Sequence, residues 1–498
     1  MITLAKKQFV IDQSDFIRGA SSGMYAKDGG FSPESASMNL SPIPGVLQPM
    51  AARTLITSNL NGDIINSIPC QNTFYRYFFT TNNRLQYMNS ATALTDSQAL
   101  TGTLSRTQSD ICQFGLGSSD TDIFITTNTN IIKSTPSSGV PGAQDATWWT
   151  GTKGKTAMVA GYWHGMIVYE NALWIADANF IHKWDGTTAS YQALILPYNQ
   201  AITAFGIDPG TGKMLIGVSE GQNAQGSAPM VYKILVWDGT SNKPLRSIPV
   251  DGMVTSFTNL GGTVYVGYGT RFGYWNGGGI TFLRKLNINW DNDFLIWKNK
   301  ITIINDKIYI LEGVKVLVYG EITPGKQKQF YYLFDCANPV SGFTIDTTYI
   351  NHIMNLGGSN NGGNSEYLGA QWTGGSSAVL SKIDLMSSST SVGNMYYVSN
   401  YYEFQRPITI KEIYFELVGS VNAAAVPFNF YLANAGSTSA LNANTAVTND
   451  KSTSQSVLRL PMANGLQVYG TRFILNQNTQ YTSTVWGIKR IIVYYDDE

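Results

Sequence analysis

Three histidines are the first residues to test for chemistry, because imidazole can bind metals and can act as a general acid or base. They are His164, His182 and His352, and no two of them have the roughly three-to-five-residue separation typical of metal-binding pairs. His182 lies in a strand-like run beside Trp184. The spacing therefore predicts no metal ligand or catalytic base among the histidines.

Two acidic pairs and one loop could also do chemistry. Asp120/Asp122 and Asp291/Asp293 could each contact a cation, but neither pair is followed by the further oxygen ligand, glycine and glutamate of a calcium loop. Residues 151–156 resemble the end of a phosphate-binding loop, yet Trp149 occupies the position of its first glycine. Solvated carboxylates and an ordinary turn are the predictions.

Motifs for hydrolysis are also missing from the sequence. It has no series of Ser-x-Asp-x-Gly boxes, as sialidase propellers have, and no Gly-x-Ser-x-Gly nucleophile elbow. Glu170, Asp177 and Asp185 are close in sequence, but spacing alone does not make them a catalytic pair. Tryptophans exposed on a rim could stack on sugars, although most of the 11 are expected in a core. We predict a protein that is not an enzyme, with no catalytic, cofactor-binding or metal-binding residue and no cofactor.

The composition narrows the class of partner. The chain of 498 residues has 33 basic and 33 acidic residues, and charged residues make up only 13%, about half the usual share. A neutral chain without basic clusters does not fit sequence-specific nucleic-acid binding. Cys70, Cys112 and Cys336 are odd in number and far apart, which favours reduced, buried thiols. No apolar leader or membrane-spanning run is visible, so we expect neither secretion nor a membrane span.

These residues lie on a repeated hairpin. Residues 260–277 read as two short strands in which Val264 and Val266, then Phe272 and Tyr274, alternate with other residues, and Asn276-Gly277 ends the unit. Related runs begin near residues 77, 123, 173, 215, 308 and 367, at intervals of 42 to 59 residues. Copies at this spacing, each with about four strand-length runs, indicate the blades of a β-propeller.

A ring of blades is favoured because a four-stranded blade is apolar on both faces and cannot bury them alone. Trp-Asp-Gly and Trp-Asn-Gly triplets resemble the punctuation of WD-type propellers, but their Gly-His dipeptide is absent. The prediction is an all-β chain with about seven blades over residues 71–400. The alternative is a large β-sandwich, which would need no fixed period.

The two ends of the chain differ from this array. Residues 1–70 are rich in Gly and Pro and predict an extended arm whose Ile43, Val46 and Leu47 contact an apolar surface. That surface would belong either to the chain's own propeller or to a neighbouring subunit. Residues 401–498 carry at least five alternating runs without blade punctuation and predict a separate antiparallel β-sandwich.

This organisation resembles tail proteins of tailed bacteriophages, with hub or nozzle proteins of short-tailed phages as the nearest analogy. The residues that carry the resemblance are Gly29-Gly30-Phe31 and Pro44-Gly45 in the arm, the blade hairpins, and residues 486–493. No specific motif is shared, so no site residue is transferred. The resemblance implies a ring of copies around the DNA channel, taken here as six-fold, with neighbouring tail or portal/adaptor proteins as further partners.

Three functions remain open from the sequence. The leading hypothesis is a non-enzymatic structural subunit of the virion tail, synthesised in the host cytoplasm. The second is a propeller that binds a receptor or host-surface glycan through rim aromatics. The third is a polysaccharide depolymerase, for which no acid/base pair is visible.

Overall fold

The computed structural model describes residues 7–16, 18, 38–39, 45–49, 54–69, 76–90, 93–115, 121–221, 231–286, 300–312, 315–322, 325–335, 349–356, 367–374, 377–385, 396–421, 429–433, 445–446, 455–476 and 487–497. Almost all of their regular structure is β. The described helices are α1 (Gln13–Phe16) and a π-helical turn (Trp148–Thr152). Two short strands, β2 (Met38–Asn39) and β3 (Gln48–Pro49), pair with each other.

Seven antiparallel sheets of four strands form a β-propeller, which confirms the predicted all-β class, the propeller and its blade number. Blade 1 has β5 (Ile64–Pro69), β6 (Arg76–Thr80), β7 (Arg84–Ser90) and β8 (Ala93–Ala99); blade 2 has β9 (Ile111–Phe114), β10 (Asp122–Thr126), β11 (Ile131–Ser134) and β12 (Gln144–Asp145); blade 3 has β13 (Met166–Tyr169), β14 (Ala172–Asp177), β15 (Phe180–Trp184) and β16 (Ala189–Ile195); blade 4 has β17 (Gln200–Asp208), β18 (Lys213–Glu220), β19 (Val231–Trp237) and β20 (Arg246–Val250).

Blades 5 and 6 follow the same order along the chain, whereas blade 7 takes its fourth strand, β4, from an earlier part of the sequence. Blade 5 has β21 (Val254–Leu260), β22 (Thr263–Tyr268), β23 (Arg271–Trp275) and β24 (Ile280–Lys285); blade 6 has β25 (Ile301–Ile304), β26 (Lys307–Glu312), β27 (Lys315–Gly320) and β28 (Gln329–Asp335); blade 7 has β29 (Tyr349–Asn355), β30 (Tyr367–Gly374), β31 (Ser377–Asp384) and β4 (Thr54–Leu60). First strands contact each other from blade 6 through blades 7, 1, 2, 3 and 4 to blade 5, which includes the contact of β29 with β5. Blade 5 packs on blade 6 through Tyr265 and Tyr319, whose ring centroids are 5.5 Å apart, so the circle closes.

The repeat read from the sequence lies on the second and third strands of each blade. In blade 5, the alternating Val264 and Val266 are buried on β22, and Phe272 is buried on β23. All seven anchor positions, from residue 77 to residue 367, lie on second strands. The period was visible because these strands are buried on both faces and therefore read as apolar runs bounded by turns.

The last blade is completed by a strand from the beginning of the chain. Strand β4 pairs with β31, and β5 follows it as the first strand of blade 1. Both strands precede residue 71, in the stretch that composition assigns to the arm. Gln371 of blade 7 fastens the junction, because its side-chain oxygen accepts the Ile64 N–H at 2.8 Å and its amide nitrogen donates to Asp63 at 2.7 Å.

A further sheet joins the two ends of the chain. Its order is β1-β37-β33-β36-β34-β35, and β32 also pairs with β36. The strands are β1 (Lys7–Asp12), β32 (Tyr396–Val398), β33 (Tyr402–Val421), β34 (Asn429–Ala433), β35 (Thr445–Ala446), β36 (Gln455–Asn476) and β37 (Gly487–Asp497). Leu47, fully buried beside the buried Val46, exchanges backbone hydrogen bonds with Ile488 of β37. Leu47 lies in the same cluster of buried apolar side chains as Ile488 and Ile491. Ile43 lies outside the described residues, so an apolar contact of all three arm residues stays a prediction.

This C-terminal sheet curls over itself. Phe415 on β33 lies opposite Leu458 of β36, whereas Phe430 on β34 lies opposite Leu475, near the other end of β36. The two phenylalanine rings nevertheless meet edge to face, with centroids 5.4 Å apart. The 22-residue β36 must therefore bend, so that the strands on either side of it enclose a shared apolar interior.

Candidate functional site

The titratable residues of blade 3 meet in one buried cluster. Asp177 ends β14, His182 lies on the neighbouring β15, and His164 precedes β13. One Asp177 oxygen accepts the Val159 N–H at 2.7 Å and lies 3.5 Å from His164 Nε2, and the other lies 3.1 Å from His182 Nε2. All three side chains are at most 1% exposed. The sequence predicted no role for His182. In the tertiary structure its ring forms a hydrogen bond with the Asp177 carboxylate.

Hydrogen bonds assign the roles within this cluster. His182 Nδ1 accepts the backbone N–H of Gln192 at 3.0 Å, so its proton is on Nε2 and donates to Asp177. Burial alone would raise the pKa of Asp177, but hydrogen bonds from His164, His182 and the Val159 N–H outweigh it and lower that pKa to about 2. The carboxylate is thus ionised and fully bonded. It fits a structural anchor better than a base that must reach a substrate.

His164 connects this anchor to the preceding blade. Its Nδ1 lies 2.8 Å from the Thr127 carbonyl oxygen, and its own carbonyl accepts the Thr126 hydroxyl at 2.8 Å. Thr126 is the last residue of β10 in blade 2, and Thr127 follows it. These two contacts hold the start of blade 3 against the end of β10.

The other chemistry candidates are dispersed. Asp122 pairs with Lys133 at 2.8 Å, while Asp120, Asp291 and Asp293 lie outside the described residues. Glu170 and Asp185 are at the opposite end of blade 3 from Asp177, so these three carboxylates do not converge. His352 faces the Ser67 hydroxyl at 2.7 Å, across the junction of blades 7 and 1. In the described part of the chain, no group of three or more His, Cys, Asp or Glu could hold a metal ion.

The loop that resembles a phosphate-binding motif packs between blades. The π-helical turn buries Trp148 and Trp149, and Lys153 at its end lies over the Trp184 ring, 4.0 Å from the centroid. Trp148 and Trp184 meet edge to face at 5.2 Å. A cation stacked on an indole is stabilised by the ring quadrupole. The lysine side chain thus has a packing role at the junction of blades 2 and 3.

The Trp-Asp-Gly triplets shape the turns after the third strands. Asp185 accepts the backbone N–H groups of Thr187 and Thr188, which lower its pKa to about 2, and Asp238 and Asn276 form equivalent turns. The preceding tryptophans fill the spaces between blades; Trp237, for example, packs on Trp174 of blade 3 at 5.1 Å. The buried tryptophans in the described residues are Trp148, Trp149, Trp174, Trp184, Trp237 and Trp275. They are core residues, as predicted for most of them.

Some aromatic side chains point away from this core, among them Phe282 and Tyr469, and Tyr198 is the most exposed of those in the described residues. Tyr198, on the connection between blades 3 and 4, is 94% exposed. Ile195, at the end of β16, is also exposed. An exposed phenol ring can stack on a sugar and donate a hydrogen bond. This position was not singled out in the sequence, where a tyrosine in a turn carries no distinguishing signal.

The C-terminal sheet presents a mixed face to solvent, called here the outward face. Three rows cross four of its strands, and each row is read in the order β1, β37, β33, β36. The rows are Gln8, Tyr494, Glu412 and Pro461; Val10, Ile492, Tyr414 and Arg459; and Asp12, Arg490, Glu416 and Val457. The alternate residues, such as Ile491, Val493 and Phe415, are fully buried on the other face.

Comparisons with known proteins bear on the fold. No protein-family model and no curated protein matches the sequence. Among solved structures, the chain is similar to the β-propeller domain of Myceliophteria thermophila Cps50 (Swd1), at 8% identity and a TM-score of 0.41, over 66% of this chain and 99% of that one. It is also similar to the Dos1 propeller, at 9% identity and a TM-score of 0.37, over 70% and 93% of the two chains. At these values the similarities carry no argument about function, and the propeller assignment rests on the sheet topology.

Proposed function

We propose that this chain is a non-enzymatic structural subunit of a tailed-bacteriophage tail, of the hub or nozzle kind. The observation that carries the proposal is that both ends of the chain form one sheet beside a closed ring. β1 pairs with β37 over six residues, and β4 completes blade 7. Such a chain combines a rigid block with a separate surface for neighbours, which suits a subunit whose work is interface burial.

The proposal also covers the N-terminal arm and the C-terminal sheet. The extended N-terminal arm connects the propeller to the terminal domain, and the curled C-terminal sheet is a β-sandwich. Contact between Phe415 and Phe430 supports this arrangement, because sandwich interiors are built from facing sheet layers. The partners are further copies in a ring and neighbouring tail or portal/adaptor proteins, in a virion assembled in the host cytoplasm. In the described residues, no helix is long and apolar enough to cross a membrane.

Light scattering coupled to size-exclusion chromatography, followed by electron microscopy, tests the proposal. We expect an oligomer of defined stoichiometry, and we expect the chain to be detected in the tails of purified particles. Absence from tail particles would contradict the virion role. Turnover of a capsule or cell-wall polymer that one carboxylate substitution abolishes would contradict the non-enzymatic role.

A glycan-binding propeller is the second candidate, and the exposure of Tyr198 favours it. The expected signature is a sugar affinity in the millimolar range (~4 kcal/mol of binding free energy), measured by ligand-observed NMR against a panel of surface glycans. Tyr198→Ala should abolish the signal, while Phe282→Ala on the rim of blade 5 should keep it, because both side chains are exposed and only the first lies at this connection. Equal binding by both variants would contradict a Tyr198 site.

A further inference from the structure

The outward face has an apolar centre between charged neighbours. Ile492 and Tyr414 lie side by side on adjacent strands, and Val10, next to Ile492, is 37% exposed. Tyr494 packs edge to face on Tyr414 at 5.4 Å. A sheet face that served only as a solvated surface would carry polar residues at these central positions. The three neighbouring residues Val10, Ile492 and Tyr414 of the middle row therefore indicate a contact surface.

Charges on this face leave capacity for a further partner. Arg490 Nη1 is 3.5 Å from Glu416, a long ion pair, and the Arg490 side chain is 39% exposed. A guanidinium has five N–H donors and can bind a second carboxylate. Glu416 in turn keeps a side chain that is 29% exposed. Both members of the pair can therefore contact an opposite charge on a facing surface.

The strand register makes the face complementary to itself. A two-fold axis parallel to the strands, between β37 and β33, places β37 of one copy over β33 of the other and keeps each row in line. Arg490 then faces Glu416 of the second copy, Ile492 faces Tyr414, and the Tyr494 hydroxyl faces Glu412. Aligned packing of this kind is a usual geometry for two stacked sheets. Because the net charge of the chain is zero, two copies do not repel each other through their overall charge.

We infer that the outward face is the site at which a second copy of this chain docks, sheet on sheet, with Arg490–Glu416 pairs across a centre of Ile492 and Tyr414. This inference rests on the proposed structural role and names one of its contacts. From strand and residue spacing the face covers about 400 Å² per copy, about half of a standard interface. The contact is therefore weak alone, with a Kd of roughly micromolar or above, and gains strength where several contacts act together in an assembly.

Sedimentation velocity of the full chain from about 1 to about 200 µM tests the inference around that Kd. The wild-type chain should form a dimer over this range. Ile492→Lys and Arg490→Glu should each raise the Kd at least about tenfold, because each places an uncompensated charge in the contact. Phe282→Lys, a matched change at an exposed position on blade 5, should leave the Kd unchanged.

Charge exchange then tests the register. Glu416→Arg should weaken the dimer, and the double variant Arg490→Glu/Glu416→Arg should recover it, with thermal unfolding used to confirm that every variant is folded. A wild-type monomer throughout the range, or an Ile492→Lys dimer as tight as wild type, would overturn the inference. A folded double variant that stays monomeric would overturn the proposed register. A face-dependent dimer of a chain that is absent from tail particles would instead refute the virion role alone.

Discussion

Replacing the buried carboxylate of blade 3 gives the sharpest test of how the blades are joined. Asp177→Asn keeps the shape but removes the charge, and an amide cannot accept hydrogen bonds on both sides. The NH2 group must then face a donor, either the Val159 N–H or His182 Nε2. Each buried donor that loses its charged acceptor destabilises the fold by about 1–3 kcal/mol. We therefore expect Asp177→Asn to lower the free energy of unfolding by about 3–5 kcal/mol, as for other broken buried pairs.

The dependence on pH follows from the pKa of Asp177. The folded state holds this pKa at about 2, below the ordinary value of 3.8. The carboxylate therefore contributes stability above pH ~4, and this contribution of about 2 kcal/mol is lost as the pH falls from ~4 towards ~2. Asp177→Asn has no such titration. The difference in stability between wild type and variant should thus narrow across that interval.

Hydrogen exchange followed by mass spectrometry measures the stability around Asp177 locally. A local measurement suits a chain with more than one structural unit. At pH 7 the amide of Val159 and its neighbours should lose protection in Asp177→Asn, and urea should unfold the variant at lower concentration. Asp185→Asn is the matched control, since an amide oxygen still accepts the N–H groups of its exposed turn. Equal protection of Val159 in wild type and Asp177→Asn at pH 7 would refute the anchor.

Three further substitutions test packing and closure by chemical denaturation. Trp237→Ala removes a fully buried ring between blades 3 and 4 and should cost about 3–5 kcal/mol, whereas Tyr198→Ala should change stability little because that ring is exposed. Gly206→Ala places a Cβ 2.5 Å from a phenylalanine of blade 5 and should cost about 1–3 kcal/mol, while Gly279→Ala meets nothing within 4 Å and should be neutral. Gln371→Leu removes both hydrogen bonds at the ring closure and should lower the free energy of unfolding by about 2–4 kcal/mol. If Trp237→Ala, Gly206→Ala or Gln371→Leu left the denaturation midpoint unchanged, the contacts assigned to that residue would be contradicted.

The terminal domain shows how far pattern alone reaches. Runs around residues 407–417 and 485–495 alternate strongly, and the structure places them on β33 and β37. That β1 is their neighbour was not predictable, because strand pairing between residues more than 470 positions apart leaves no local signal. The outward face was hidden for the same reason: its rows combine residues from both ends of the chain.

The local sequence by itself determined the blades, because each hairpin has to alternate or bury its apolar residues at fixed spacing, and seven such units must close to hide them. It also determined the role of the Trp-Asp-Gly triplets as turn formers with a buried indole. Tertiary structure alone decided which strand completes the ring, since β4 is mixed in character and finds β31 only through the closure of the circle. It also decided that His164, Asp177 and His182 form one anchor, because hydrogen bonds between adjacent strands and blades depend on three-dimensional register, which residue spacing along the chain does not encode.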